Sequence, residues 1–502
     1  MNKKTLALVL TLVFVVSLFS GFAPARIAAN TTDLKVALAN CPTTLDPVAM
    51  FPTQSDQTVY KSIYDTVVKF DKAGKVIPSV AKSWKISADG KTYTFKIRTD
   101  IKFHDGTALT AEDVAFSIKR NLGNSYSGKY YYSMFVKDAV ATDSSTVVLT
   151  TFNRYQVTLL WLASSVFITP KAAVTKDAAA FAADPIGSGP YKFKSWVKGS
   201  SIDFERNATY FASKSTFKTM KIRFIADAGT QAIALQTGEV NFMVNANASD
   251  TRDLKTNSKL QFVQSTGSFT YQMGLYNSGA TKNPAIREAI ALAINKKEVI
   301  QIAVDGLGKI SNSNVSAMVF PEYAGSNDIK YNPTKSRQIL KNLKYTPEIF
   351  PITIITLAPQ DTKVANVIAS QLLAVGMTVK VQQVEMASFG QQLMAGKVQI
   401  YVAQGGGIQV GPLDGLDGYT IAVDRYKRFV DMPAYDTLVA SLQNVSDAKK
   451  LKAGILKAYK MYNTNYQTLP LFDAYINVVA TKGIKNVVTN YAMVYELGNL
   501  TY

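Results

Sequence analysis

Between residues 31 and 121 the chain carries Leu34-Lys-Val-Ala-Leu38, Thr44-Leu-Asp-Pro47, Ile77-Pro-Ser-Val-Ala-Lys-Ser-Trp84 and Phe103-His-Asp-Gly106, in that order. Each motif has a local structural explanation, since short apolar runs predict strands and Pro, Asp and Gly predict turns. Their order and spacing are the most informative property of the sequence, because an ordered series is far more specific than any single motif.

The segment between the last two of these motifs has the pattern of a β-hairpin. Lys91–Arg98 alternates between large apolar and polar residues, which predicts a half-buried strand, and Asp89-Gly90 before it predicts the hairpin turn. Further on, Leu109-Thr-Ala-Glu-Asp-Val114 places Thr110 three residues before Asp113. This is a capping-box spacing and predicts that a helix begins there.

A second region begins near Phe269 and alternates between helix and strand patterns. Ile352–Leu357 is an apolar strand candidate. From Val364, apolar residues recur at i, i+4 and i+8, which predicts a helix closed by Gly376, and another strand candidate begins at Val379. This alternation predicts an α/β fold.

The ordered motifs resemble the amino-terminal lobe of the family-5 extracellular solute-binding proteins. The resemblance continues through Ile186-Gly-Ser-Gly-Pro-Tyr191, through the helix pattern of Asn283–Ile300, and through Tyr331-Asn-Pro-Thr-Lys-Ser-Arg-Gln-Ile-Leu340. It covers most of the chain. The family serves ABC importers of peptides, nickel chelates and some oligosaccharides, so the resemblance implies a solute-binding protein.

The resemblance also implies an architecture, a two-lobed periplasmic-binding-protein-like α/β fold of type II, in the large family-5 variant, with a ligand cleft between the lobes. Lobe 1 is expected to comprise residues 30–268 and 471–502, with an inserted subdomain at about 55–182. Lobe 2 is expected to comprise residues 269–470. A signal peptide is expected at residues 1–29, before lobe 1.

Two chain crossings are expected to join the lobes, near Gly267–Tyr271 and Thr468–Phe472. Proteins of this architecture close on their ligand by hinge motion. The crossings are therefore the expected hinge.

Composition limits the chemistry that the chain can carry. It has 502 residues with one Cys and one His, so neither an intramolecular disulfide nor a Cys/His metal cluster can form. No cofactor and no metal are expected. His104 and Cys41 are interpreted as a turn residue and a small packed side chain.

The first residues have the pattern of an export signal. Lys3 and Lys4 precede the apolar run Leu6–Phe19, and Ala23-Pro-Ala25 is a small-x-small cleavage site. The run is short for a membrane span, and no lipobox Cys lies near the cleavage region. An extracytoplasmic location is therefore expected, periplasmic or secreted, with retention of the segment as an anchor left open.

The formal net charge is +19, and the lysines are spread along the chain rather than grouped. A diffuse pattern favours a solvated basic surface over a nucleic-acid site. The expected partners are a small-molecule or peptide ligand and ABC permease subunits in the membrane, with no nucleic acid. A monomer is expected.

The ligand cleft is expected to gather residues from loops that follow strands in both lobes. The candidates are Met50, Phe51, Tyr271, Lys363, Gln404, Gly405, Gly406, Asp414 and Asp417. For Met50, Phe51 and Tyr271, packing in a lobe core is an equally weighted interpretation.

The sequence departs from the peptide-binding members of the family at one point. Those proteins often carry Gly-Trp followed by an Asp that pairs with the ligand's amino group, whereas this chain has Gly405-Gly-Gly-Ile-Gln. Asp414 and Asp417 are possible substitutes, and both also fit turns. Lys363 lies where some relatives have a carboxylate-binding Arg, but a Lys offers no bidentate fork.

Peptides are the leading ligand class. The alternatives are an oligosaccharide- or metal-chelate-binding protein, and a ligand sensor or surface protein that uses the same fold. An enzyme is not expected, because no G-x-S-x-G elbow occurs and a Ser–His or Cys–His pair would have to recruit His104 from its turn.

Overall fold

A computed structural model describes most of the chain after the predicted signal peptide. The residues described are 32–48, 54–71, 74–124, 132–152, 158–244, 246, 254–313, 315–317, 320–406, 412–417, 431–443, 445, 447–487 and 495–502. The signal peptide predicted for residues 1–29 lies outside these residues.

Strands and helices alternate through the described residues. The strands are β1 Asp33–Leu38, β2 Val68–Phe70, β3 Val76–Pro78, β4 Ala81–Ile86, β5 Thr92–Ile97, β6 Val136–Asp143, β7 Thr146–Thr151, β8 Tyr191–Val197, β9 Ser201–Arg206, β10 Thr219–Phe224, β11 Phe242–Met243, β12 Leu260–Leu275, β13 Gly308–Ile310, β14 Thr353–Thr356, β15 Lys380–Gln383, β16 Ile400–Gly406 and β17 Thr468–Thr481. The α-helices are α1 Gln54–Ile63, α2 Ala111–Asn124, α3 Thr158–Ser164, α4 Lys171–Lys176, α5 Ala178–Ala183, α6 Ala228–Thr237, α7 Pro284–Leu292, α8 Lys296–Ala303, α9 Pro333–Asn342, α10 Pro359–Ala374, α11 Met386–Met394, α12 Pro412–Asp417, α13 Pro433–Leu442 and α14 Ala448–Asn463.

One large mixed sheet runs through the molecule. Within the described residues its strand order is β15-β14-β16-β12-β17-β11-β1-β10-β9-β8, with β13 added on β17. We call the part with β8 to β11 and β1 lobe 1, and the part with β13 to β16 lobe 2. Both parts contain parallel pairs: β1 with β10 and β11, and β14 with β15 and β16.

Strands β12 and β17 belong to both lobes. They pair antiparallel along most of their length, from Leu260 opposite Thr481 to Gly274 opposite Thr468. The register shifts between Thr266 and Thr270 and again between Tyr271 and Gln272. Their apolar residues enter two separate cores, with Leu469, Leu471 and Phe472 in lobe 2 and Ile476 and Val478 in lobe 1.

A smaller sheet forms a third unit, inserted between β1 and β8. It has the order β4-β5-β7-β6, and its core is separate from those of the lobes. Strand β5 is the alternating segment predicted from the sequence, and its Tyr93, Phe95 and Ile97 are buried. The Asp89-Gly90 turn before it has Gly90 at φ 72°.

The cap predicted at the start of α2 is present. The Thr110 N–H donates to Asp113 Oδ2 at 2.9 Å, and the Asp113 N–H donates to Thr110 Oγ1 at 3.4 Å. The two residues satisfy each other's backbone donors, which is the capping-box arrangement. Asn283 caps α7 by accepting from the Ala285 N–H, and the prediction that Gly376 closes α10 is confirmed by its positive φ angle.

The Gly187-Ser188-Gly189 loop packs against the end of α1. Glycine permits positive φ angles, but neither of these residues adopts one. They are required for close approach instead: a Cβ on either residue would overlap the backbone of Ile63, whose carbonyl accepts the Gly189 N–H at 2.8 Å. The loop can therefore lie directly on the helix end.

His104 joins the Phe103–Gly106 turn to the same glycine loop. Its Nδ1 accepts from the Gly187 N–H at 3.3 Å, and its Nε2 donates to the Gly189 carbonyl at 3.0 Å. Burial lowers the pKa of the imidazole to about 4. Both ring nitrogens are thus occupied in a neutral ring, in agreement with a structural role in the turn.

Cys41 lies just after β1 and is half-buried. Its sulfur accepts from the Gly199 N–H at 3.3 Å, in the turn between β8 and β9. The side chain is therefore part of the packing between two loops of lobe 1.

The Gly187→Ala variant is expected to lose about 3 kcal/mol of unfolding free energy, because the new methyl group meets a fixed backbone carbonyl. The control is Gly123→Ala in α2, where a Cβ has no atom within 4 Å. That variant should gain about 0.5 kcal/mol from helix propensity. Urea denaturation followed by circular dichroism measures both, and equal effects would contradict the close-approach role of Gly187.

His104 should make stability depend on pH. Its pKa is 6.5 in the unfolded chain and about 4 in the fold, so below pH 6.5 the unfolded state binds the extra proton. The stability of the wild type, relative to His104→Gln, should therefore fall by roughly 1.4 kcal/mol per pH unit between pH 6.5 and 4, and be constant above pH 6.5. Denaturant titrations from pH 4 to 8 measure the difference, and a flat difference would exclude this assignment.

Candidate functional site

We call the middle part of the β12–β17 ladder, where both strands pass from one lobe to the other, the crossing (residues 266–271 and 472–475). The carboxyl ends of the parallel strands in both lobes face this crossing. In lobe 2, β16 runs toward the crossing and its last residue, Gly406, pairs with Phe269. In lobe 1, β11 also runs toward the crossing. Beyond the end of β11, the Ala246 N–H donates to the Asn477 carbonyl at 3.0 Å. Ligands of open α/β sheets bind outside the carboxyl ends of strands, so the crossing locates the candidate site.

The crossing itself contains a buried hydrogen bond between its two strands. Beside the register shift, the Thr270 hydroxyl donates to Asp473 Oδ1 at 2.5 Å, and both residues are buried. Burial raises the pKa of the Asp473 carboxyl, against the opposing effects of the Thr270 hydroxyl and the Lys309 ammonium. This bond fixes the relative position of the strands where their regular ladder is interrupted.

Tyr271 is at the lobe-2 side of the crossing. It is 3% exposed, and its ring stacks on Phe472 with centroids 4.7 Å apart. Its hydroxyl lies near the Asp361 carboxyl and the side chain of Gln404, which is exposed. Burial and the neighbouring Asp361 charge raise the pKa of the Tyr271 phenol. The ring belongs to the lobe core, and only the hydroxyl end approaches an exposed amide.

Asp361 is a site residue that sequence reasoning missed. It is the third residue of α10 and is 6% exposed, and its Oδ2 accepts from the Ala358 N–H at 3.0 Å. Burial raises the pKa of this carboxyl, although the backbone N–H groups and the Tyr271 hydroxyl stabilise its charge. The signal was Pro359 at the helix start followed by an acid in the first turn, a common helix N-terminus pattern.

The glycines after Gln404 allow side chains of β12 to cross over β16. A Cβ on Gly405 would overlap the Gln272 amide, which donates to the Tyr401 hydroxyl at 3.0 Å. Gly405 therefore leaves room for the Gln272 amide in this position. Gly406 ends β16 at the crossing.

In lobe 1, the loop after β1 is held by a half-buried ion pair. Arg120 on α2 binds Asp46 with both guanidinium Nη atoms, and its Nη1 lies 2.7 Å from Oδ1. The hydroxyls of Tyr60 and Tyr64 donate to the Thr44 and Leu45 carbonyls at 3.1 and 2.9 Å. These contacts fix the chain up to residue 48, directly before two candidates, Met50 and Phe51, that lie outside the described residues.

The remaining candidates are placed less completely. Lys363 is exposed on α10, one turn after the helix starts at the crossing. Asp414 and Asp417 lie in α12, but their side chains are outside the described residues. Contact of each of these residues with a ligand stays a prediction.

Amide side chains line the lobe-1 part of the crossing strands. Gln264 donates from Nε2 to Asn477 Oδ1 at 2.9 Å, and Asn477 Nδ2 donates to the Ala246 carbonyl at 3.2 Å. Gln272 and Gln404 extend this group into lobe 2. In the residues described, no group of three or more His, Cys, Asp or Glu is close enough to hold a metal ion.

Comparison with known proteins identifies the family. Residues 75–425 match the family model described as bacterial extracellular solute-binding proteins, family 5 Middle. The glutathione-binding protein GsiB of Pectobacterium atrosepticum is 31% identical over 362 residues, which are 70% of this chain and 68% of that protein. The chain therefore belongs to the bacterial extracellular solute-binding proteins of family 5.

Two further proteins show how far the similarity extends. The oligopeptide-binding protein AppA of Bacillus subtilis is 26% identical over 433 residues, 78% of each chain. The crystal structure of NikA from Brucella suis in complex with Fe(III)-EDTA superimposes with a TM-score of 0.84 at 21% identity, covering 93% of this chain and 99% of that one. The expected two-lobed α/β fold is confirmed.

The family consists of solute-binding components of ABC transporters, which act outside the cytoplasm. In the part of the chain that the structure describes, no helix combines the length and apolar character needed to cross a bilayer.

The Tyr271→Phe variant is expected to lose about 1–2 kcal/mol of unfolding free energy, because Asp361 stays buried without its hydroxyl partner. Tyr331→Phe, at a side chain that is 50% exposed, is the control and should change stability by less than about 0.5 kcal/mol. Chemical denaturation at pH 7 measures both, with Asp361→Asn completing a double-mutant cycle. Strict additivity of the two changes would contradict the Tyr271–Asp361 bond.

Proposed function

We propose that the protein captures peptides in the cleft between its lobes and delivers them to an ABC permease. The observation that carries this proposal is the crossing of β12 and β17, which the carboxyl ends of the parallel strands in both lobes face. A ligand held there contacts both lobes. Closure around it therefore requires bending only where the β12–β17 register is interrupted.

The chemistry of the crossing supports a peptide ligand. Gln264, Asn477 and Gln404 carry amides, which offer both donors and acceptors to peptide N–H and C=O groups. Such contacts are independent of the ligand's side chains. GsiB and AppA, both named for peptide ligands, support the same ligand class, with glutathione as one candidate.

Contacts with the ligand ends are a separate part of the proposal. Lys363 is the candidate for the peptide carboxylate, and Asp414 and Asp417 are the candidates for the amino group. Met50 and Phe51 are the candidates for apolar contacts, and they follow a segment, up to residue 48, that the Asp46–Arg120 pair holds in place. Tyr271, whose ring is buried in the lobe-2 core, is a candidate through its hydroxyl. Acetylated and amidated peptides test the end charges one at a time.

The rest of the proposal concerns the protein's setting. We infer an exported monomer that works with membrane permease subunits and catalyses no reaction. Both ring nitrogens of His104 are engaged in hydrogen bonds within the fold. This supports the absence of catalysis, since a catalytic imidazole needs a free nitrogen.

Peptides should raise the melting temperature of the protein truncated before Asn30, after bound host ligand has been removed by unfolding and refolding. A ligand at about 100 times its Kd adds roughly 2.7 kcal/mol of stability. The panel is a short-peptide library, glutathione, oligosaccharides, haem and nickel with and without chelators. Small-angle scattering should show a smaller radius of gyration with the peptides that bind.

Gln404→Ala should weaken peptide binding about five- to tenfold, because one hydrogen bond of about 1 kcal/mol is lost. Lys82→Gln, at an exposed residue of the inserted sheet, is the matched surface control and should leave the Kd unchanged. A shift with oligosaccharides or chelates alone would reassign the ligand class. No shift with any compound would contradict the transport proposal and favour a sensor or surface protein.

A further inference from the structure

A second cavity lies in lobe 1, at the edge of the sheet opposite the crossing. Its lining includes the first residues of β1 and β12, Lys482 after the end of β17, and Gly238, which follows α6. Because the carboxyl end of β1 points toward the crossing, the start of β1 faces away from it. The cavity has a volume of 370 Å³, within the range of about 300–1,000 Å³ typical of small-molecule sites.

The floor of this cavity is apolar. Leu235, Leu260 and Ile484 line it and are only 2%, 6% and 2% exposed. The first two belong to the small core between the sheet and α6. Tyr502 adds a half-buried aromatic wall, and its ring packs edge-on against Phe217 with centroids 6.4 Å apart. An apolar group bound here is removed from water on several sides.

The charged residues around the floor are mostly cationic. Lys35, Lys259 and Lys482 line the cavity together with a single carboxylate, Asp33. Within the described residues none of the three ammonium groups lies within ion-pair distance of a carboxylate. Asp33 Oδ1 already accepts from the Thr219 hydroxyl at 2.5 Å. The cavity therefore attracts anions.

Hydrogen bonds fix the backbone segments that carry these side chains. Asn241 donates from Nδ2 to the Asp33 carbonyl at 2.8 Å and accepts from the Lys35 N–H at 2.8 Å. The Lys482 N–H donates to the Lys259 carbonyl at 2.8 Å. These bonds join β1 to β11, and β12 to the turn after β17. The cavity is thus preformed within one lobe, and filling it requires no closure of the cleft.

We propose that this cavity is a second ligand site, separate from the cleft, that binds a small amphiphilic carboxylate. The carboxylate meets the lysine ammonium groups, and the aliphatic or aromatic part lies on the Leu235–Leu260–Ile484 floor. The apolar floor disfavours small inorganic anions, which cannot bury any surface there. The lysines disfavour neutral and cationic amphiphiles.

Isothermal titration calorimetry with octanoate and 3-phenylpropionate tests the proposal, with octylammonium as the charge control. Both acids should bind, and their relative affinity separates an aliphatic, lipid-derived ligand from an aromatic one. Lys35→Met and Lys482→Gln should each weaken binding about tenfold, since each removes a charged partner. Ser258→Trp, on the exposed rim, should abolish binding by filling the cavity.

Two variants serve as controls. Lys82→Gln removes a lysine charge from the inserted sheet, and Gln404→Ala alters the cleft; neither should change binding of the acids. The proposal is overturned if neither acid binds, if octylammonium binds as tightly as octanoate, or if Gln404→Ala rather than Lys35→Met removes the binding. Lys482 lies in an exposed turn, so the Lys482→Gln variant is expected to fold and remains informative even if Lys35→Met fails to fold.

Discussion

The pairing of β12 with β17 is the constraint on which the rest of the structure depends. These two strands supply residues to the cores of both lobes, and their register shifts twice, between Thr266 and Thr270 and between Tyr271 and Gln272. The Thr270–Asp473 bond keeps the strands paired between these two shifts.

The candidate site follows from this arrangement. Each lobe directs the carboxyl ends of its parallel strands toward this part of the β12–β17 ladder. Polar groups lie on both sides of it: Tyr271 near Asp361 in lobe 2, and Asp46 with Arg120 in lobe 1. We interpret both as groups that position the neighbouring loops for ligand binding.

Local elements could be predicted from the sequence because their signals lie within a few residues of one another. The alternation of Lys91–Arg98 and the Thr110–Asp113 cap are of this kind, and both are confirmed. The role of Gly187 and Gly189 could not be predicted, because the neighbour that requires them, Ile63, is over 120 residues away in the chain.

The candidate site shows the same limit. Tyr271 and Gln404 were expected in loops that follow strands, but they lie within β12 and β16, and their contact with a ligand stays a prediction. Asp361 was not recognised, because its role depends on Tyr271, 90 residues earlier in the chain. The Asp46–Arg120 pair was also not predicted, because nothing in the local sequence indicates that a carboxylate in a loop and a guanidinium on a helix will meet.

The position of β17 has a consequence for how the protein is made. This strand completes the core of lobe 2 with Leu471 and Phe472 and that of lobe 1 with Ile476 and Val478, yet it is synthesised after nearly all the other residues of both lobes. Neither lobe can finish folding on the ribosome before residues 468–481 emerge. The growing polypeptide thus stays incompletely folded through most of its translation, and an unfolded chain is the form that can be threaded through a narrow membrane channel.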